Sequence, residues 1–313
     1  MPNLGQFLNQ LQKEFHRSRY LASDPLEFVH RYRDPWDQEA VALLSSVLAY
    51  GKVAQIQNSV EDALKRMNRV SQSPSDFVRK LHHPTHRKKA EVAFQGHVHR
   101  FNQGADIVLL FVGLNQSWTK YGSLGSHLLH YLSPLDSDTG NAMSQLISDW
   151  RKQLASQETS TFSYLLTSPQ DGSCCKRWCM LLRWMGRKDQ LDLGLWSKQS
   201  PLSSTFPSGR YLKASQLVMP LDTHTGRISQ YLGLTQRKTL NWKAAIEVTQ
   251  SLKAIDPEDP TRFDFALARL GILDICQKKY RREICQKCQL LPVCNFAQTS
   301  LNRKKETILW PLQ

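Results

Sequence analysis

Four cysteines fall within one short stretch of the chain, Cys276, Cys285, Cys288 and Cys294, separated by eight, two and five residues in ICQKKYRREICQKCQLLPVC. Thiolates ligate metals, and in a reducing compartment thiols this close serve as ligands more readily than as disulfide partners. Structural zinc sites usually pair two short knuckles, so a single CxxC followed by a longer step suits zinc poorly. A 4Fe-4S cluster also takes four thiolates and tolerates varied spacing, which places it ahead of zinc as the expected occupant. Lys278, Lys279, Arg281 and Arg282 flank the thiols and would help keep them deprotonated. Cys174, Cys175 and Cys179 have no fourth ligand beside them and read as core or helix-start thiols.

Two further residue types carry possible chemistry. Asp222 follows a short apolar segment in MPLDTHTGRISQYLGL, at the expected start of a helix that runs past Arg227. An isolated Asp there is most often an ordinary N-cap. Lys176 heads CKRWCMLLRWMGRK, in which Lys176, Arg177, Arg183, Arg187 and Lys188 have no acid among them. An amine is a nucleophile only when unprotonated, and neighbouring positive charge favours that form. Ser173 or Asp171 is expected to cap this helix. Trp178 and Trp184 suit a buried stripe at least as well as a base-stacking platform.

The elements that must position these groups are helical. In EAVALLSSVLAYG, Ala40, Val41, Leu43, Leu44, Val47 and Leu48 recur at helical spacing, with Gly51 as the stop. Ala245, Val248, Leu252 and Ile255 predict another helix, and Asp259 with Pro260 predicts an N-terminus before Phe263, Ala266, Leu267 and Leu270. Alternating strand-like runs are few and no βαβ rhythm is present, so an all-α fold is expected. Residues 133–139 and 199–209 read as loops, and the segment from His82 to Lys89 as a basic loop left without a role.

Across its 313 residues the chain carries 41 Lys plus Arg against 27 Asp plus Glu, a formal charge of +14. The last 38 residues alone hold eight cations and two acids. Such an excess favours a polyanionic partner. Ordinary hydrophobic content argues against disorder, and the longest apolar run, Ile107 to Leu114, is too short to cross a bilayer. Seven cysteines without an export signal point to the cytoplasm.

Around DTHTGR and the cysteine loop the chain resembles the helix-hairpin-helix DNA glycosylases of the endonuclease III type. Their D-T-H-x-x-R segment carries the catalytic Asp, and their 4Fe-4S loop is spaced six, two and five. Over most of its length the chain more specifically resembles a bacterial family of conserved proteins of unknown function, through LAYGKVAQI, HRFNQG, KRWCMLLRWMGRKD, LGLW, PLDTHTGR and DPTRFDFAL. The glycosylase resemblance implies two helical lobes, one spanning 37–215, the other 1–36 with 216–313, including the Fe-S loop (276–294) and a basic tail. It implies base excision from double-stranded DNA by a monomer at the nucleoid, with an AP-lyase step. Asp222 would be the catalytic carboxylate. Lys176 would be the nucleophile, because CKRWCMLLRWM resembles the lysine-bearing helix of archaeal 8-oxoguanine glycosylases. Lys213 or water stand as alternatives.

Lys52, Arg177, Arg183, Arg227, Lys278, Lys279, Arg281 and Arg282 would contact nucleic acid, with Tyr50 to Lys52 as the wedge that fills the gap left by an extruded base. The L-P-G-x-G-x-K hairpin of the superfamily has only FPSGRYLK, Phe206 to Lys213, as a counterpart. Its weakness leaves a competing expectation, a non-catalytic 4Fe-4S nucleic-acid-binding protein.

Two outcomes follow from the residues alone. Protein purified anaerobically should be brown and contain about four irons per chain; stoichiometric zinc with negligible iron, from iron-replete cells, would refute the cluster. Affinity for DNA should fall steeply with added salt as counterions are released, whereas a salt-independent affinity would contradict binding through phosphates.

Overall fold

The computed structural model describes residues 3–157 and 159–308, with side chains to residue 301. Arg303, Lys304 and Lys305 of the basic tail have side chains outside the described residues. The fold is all-α, as the periodicity predicts. In chain order the helices are α1 (Leu4–Phe15), α2 (Leu26–His30), α3 (Pro35–Val47), α4 (Val53–Asn68), α5 (Pro74–Lys80), α6 (Pro84–Ala93), α7 (Gly104–Tyr121), α8 (Leu124–Tyr131) and α9 (Gly140–Leu154). There follow α10 (Lys176–Gly186), α11 (Thr223–Tyr231), α12 (Trp242–Lys253), α13 (Asp264–Ile272), α14 (Arg282–Cys285) and α15 (Asn295–Ile308). Between α6 and α7 the strands β1 (Val98–His99) and β2 (Asn102–Gln103) form an antiparallel hairpin. Among the described residues no helix is long and apolar enough to cross a membrane.

Helix α3 is the centre of the core. Asp34 caps it, accepting from the backbone N–H of Trp36 at 2.9 Å and Asp37 at 3.1 Å, with Pro35 at the first helical position. From Ala40 to Val47 every residue is buried, because α2, α5 and α10 pack around it. A helix enclosed on all faces needs no polar stripe, yet α3 carries the fully buried Glu39. Its carboxylate accepts from both Trp118 and Trp196 Nε1, the latter at 2.7 Å, and from the N–H groups of Leu124 and Gly125 at 3.0 and 3.2 Å. Burial alone raises its pKa, and those four donors oppose the rise. Glu39 therefore joins α3 to α7 and to the start of α8.

The N-terminal α1 packs on α13, near the opposite end of the chain, and α11 packs on the same helix. At this second contact Gly271 permits a close approach, since a β-carbon there would lie 2.5 Å from His224 Cβ.

Several local expectations change. Residues 82–89 are not a loop: Pro84 opens α6, because its missing N–H is harmless at a first helical position. Neither Ser173 nor Asp171 caps α10. Cys175 stands in front of it in the left-handed region (φ +49°), Ser173 Oγ accepts from the Cys175 N–H at 3.0 Å, and Asp171 pairs with Arg151 at 2.5 Å. Asp259 precedes a 3-10 turn, Pro260–Phe263, before α13 begins. Trp178 and Trp184 are fully buried, so they form the core stripe and offer no stacking surface.

The Glu39 arrangement predicts a large mutational effect. Glu39→Ala strands four buried donors and should lower unfolding free energy by about 3 kcal/mol or more. Equilibrium denaturation would measure it, and a change under about 1 kcal/mol would contradict the role assigned to Glu39.

Candidate functional site

Asp222 occupies the N-cap of α11 because its carboxylate satisfies N–H groups that a helix start leaves open. Its Oδ1 accepts from the N–H of His224 and of Thr225, both at 2.8 Å, and from Thr225 Oγ1 at 3.1 Å. Burial acts to raise its pKa. The Lys176 charge, the two N–H donors and the nearby His224 outweigh burial and hold the carboxyl below its ordinary value. At neutral pH Asp222 is thus an anion with one edge held by the backbone.

Lys176 is the first residue of α10, and its Nζ donates to the Ala49 carbonyl at 3.1 Å. Lys176 and Asp222 line one cleft of about 920 Å³, which also takes in Tyr50, Lys52, Tyr164 and His224. Lys213 lies elsewhere. It borders a separate groove with Lys188 and Glu258 and donates to the Pro134 carbonyl at 3.2 Å. The structure brings together one of the two lysines and the acid.

The other cations of α10 turn inward, which corrects their assignment to phosphate contacts. Arg183, 3% exposed, pairs with Asp264 and, at 3.2 Å, with Asp192. Arg177 donates to the backbone carbonyls of Val47, at 2.9 Å, and Tyr164, and its guanidinium lies 4.4 Å from the centre of the Tyr164 ring. Both are buried because the apolar stripe of α10 faces the core on nearly every side. Lys52 remains exposed on the cleft rim. Tyr50 is held rather than free to act as a wedge, its hydroxyl donating to Asn102 Oδ1 at 2.6 Å and lying 3.0 Å from the His99 carbonyl.

Asp264 is a cleft residue that sequence patterning missed. Burial pushes its carboxyl up to about 6, against the pull of Arg183, and the Asp222 charge adds to the rise. Its signal was a lone acid between Phe263 and Phe265 in an apolar run, a position that demands a buried partner. Cys174, half-buried in the same cleft, donates its Sγ–H to the Leu221 carbonyl at 3.1 Å, and burial raises its pKa.

The four-cysteine loop is tied to α11. Arg227 is half-buried and donates to the Cys276 carbonyl at 3.0 Å, so it anchors the loop where a phosphate contact was expected. Tyr231 stacks on Phe296 of α15 with centroids 4.3 Å apart. All four cysteines are free thiols of intermediate exposure. Burial pushes the Cys276 thiol up to about 11, Arg227 pulls against this, and the other three thiols add to it. The flanking Lys278, Lys279, Arg281 and Arg282 are exposed. As a donor set, four neighbouring thiols on one loop fit a metal centre. Among the described residues, no three His, Cys, Asp or Glu side chains stand as a closed metal-binding group.

No curated protein matches the chain, and no solved structure does. Residues 24–273, a span that holds Lys176, Asp222 and Asp264 and ends before Cys276, match the family described as protein of unknown function (DUF2400). The chain belongs to that family.

Proposed function

We propose that the protein is a DNA glycosylase that excises a damaged base, with an AP-lyase step, on a two-lobed helical scaffold of the glycosylase type. One observation carries the reading: Lys176 and Asp222, far apart in sequence, face the same cleft, and the lysine charge helps to keep the carboxyl ionised. The net charge of +14 suits a DNA backbone, and a cleft of about 920 Å³ has room for one extruded nucleotide.

The parts then act in sequence. As the bond from the base to sugar C1′ breaks, its electron pair leaves with the base, which takes a proton from water. The Asp222 carboxylate stabilises the cationic sugar through its charge. The hydroxide left by that water takes a proton from the Lys176 ammonium, the freed Nζ forms a bond to C1′, and a second amine proton passes to the ring oxygen as the bond from C1′ to that oxygen breaks, giving a Schiff base. Elimination of the 3′ phosphate from that imine cuts the strand. Cys276, Cys285, Cys288 and Cys294 would hold a 4Fe-4S cluster, whose contribution is to brace the loop. Lys52 and the exposed Lys278, Lys279, Arg281 and Arg282 are the cations offered to phosphates. The alternative, a non-catalytic cluster-bearing nucleic-acid binder, draws its support from the FPSGRYLK segment, whose Lys213 lies outside the cleft.

Asp222→Asn tests the reading cleanly, because Asn caps a helix as well as Asp does and so spares the fold. Base release from a panel of damaged oligonucleotides should drop by roughly 100-fold or more, with DNA affinity nearly unchanged. Retained base release in the variant would exclude Asp222 as the catalytic carboxylate, and no release by the wild type from any lesion would favour the binding protein.

A further inference from the structure

The hairpin β1–β2 places Arg100 and Phe101 in a two-residue turn, with Val98 paired to Gln103 and His99 to Asn102. Everything beneath the turn is fastened. His99 is fully buried and bonds Ser59 Oγ at 2.8 Å and the Tyr50 carbonyl at 3.1 Å. Asn102 accepts from the Tyr50 hydroxyl and donates to Asp106 Oδ2 and to the Thr161 carbonyl, both at 2.9 Å. Against this rigid base the two turn residues stand out. Arg100 has φ +56°, an unfavourable conformation for a residue with a β-carbon. Phe101 is 43% exposed, and Tyr164, which lines the cleft, is 39% exposed.

Their rings form one cluster. Phe101 lies 4.4 Å from Tyr164, edge to face, and 5.5 Å from Tyr50. Arg177 supports Tyr50 and Tyr164 from the interior, its guanidinium 5.1 and 4.4 Å from the two ring centres. Exposed cations border the aromatic surface: Arg100 beside Gly51, and Lys52 on the rim. Phe101 packs on both tyrosine rings yet keeps much of its surface in solvent. A preorganised aromatic face with flanking cations matches what an unpaired nucleobase and its phosphates need.

We propose that the exposed ring of Phe101, braced edge to face by the cleft residue Tyr164, is a stacking platform that captures an unpaired base of a nucleic acid strand, with Arg100 and Lys52 engaging the adjacent phosphates. This rests on the nucleic-acid part of the function proposed above and is independent of catalysis. The platform selects strands with a displaced base, and the cleft with Lys176 and Asp222 lies immediately behind it.

Binding of the full-length protein to two DNA probes separates the possibilities. One probe is a duplex with a single base opposite an abasic site, and the other is its fully paired counterpart. Wild type should prefer the first. Phe101→Leu, which keeps an apolar side chain at a partly exposed position, should lose that preference by about 5- to 100-fold with the salt slope unchanged. Phe101→Trp should retain the preference. Lys52→Ala should weaken both probes and flatten the salt slope. An unaltered preference in Phe101→Leu, or equal weakening on both probes, would overturn the platform. Base release is not read here, so loss of the glycosylase reading and loss of the platform give different results.

Discussion

The pairing of Arg183 with Asp264 and Asp192 is the constraint on which the cleft depends. A guanidinium this deeply buried requires its acidic partners, since an uncompensated interior charge destabilises by several kcal/mol. Arg183 comes from α10 and Asp264 from the first turn of α13, so the pair locks these helices together. Around it, Arg187 meets Asp189 and Asp259, and Arg269 meets Asp24. Helix α13 thus becomes the frame for the site. Lys176 starts the helix clamped to one side of it, and Asp222 caps the helix that packs at Gly271 on another.

Helix α11 extends that frame to the cysteine loop. Its N-terminus holds Asp222, while Arg227 and Tyr231 along its length fix the Cys276 backbone and α15. A centre formed on the four thiols would therefore brace the same helix that presents the carboxylate. Metal binding must displace thiol protons that burial and mutual repulsion help to retain, so any such centre couples to local folding.

The helical skeleton was legible because apolar spacing reports directly on burial: the stripes of α3 and α12 and the cap at Asp222 stand where patterning puts them, although α3 stops at Val47 rather than at Gly51 and Leu48 and Ile255 fall just past the helix ends. The four cysteines cluster in sequence, but among the described residues their side chains do not gather into a metal-binding group. What patterning missed was the direction of charged side chains. Arg177 and Arg183 read as surface cations because their partners, Asp264 and the carbonyls of Val47 and Tyr164, are distant in sequence. For the same reason Asp264 carried no visible role. The hairpin at Val98–Gln103 escaped because two-residue strands have no period to detect, and its order comes from His99 and Asn102 contacts with Tyr50.

Lys176 and Asp222 are proposed to form one reacting pair. The most direct test of that pairing is borohydride reduction of the protein with lesion-bearing DNA, followed by mass-spectrometric location of the trapped sugar on the polypeptide. The expected result is a covalent adduct on the Lys176 peptide that requires Asp222. An adduct on Lys213, or a Lys176 adduct that forms equally well in Asp222→Asn, would contradict it.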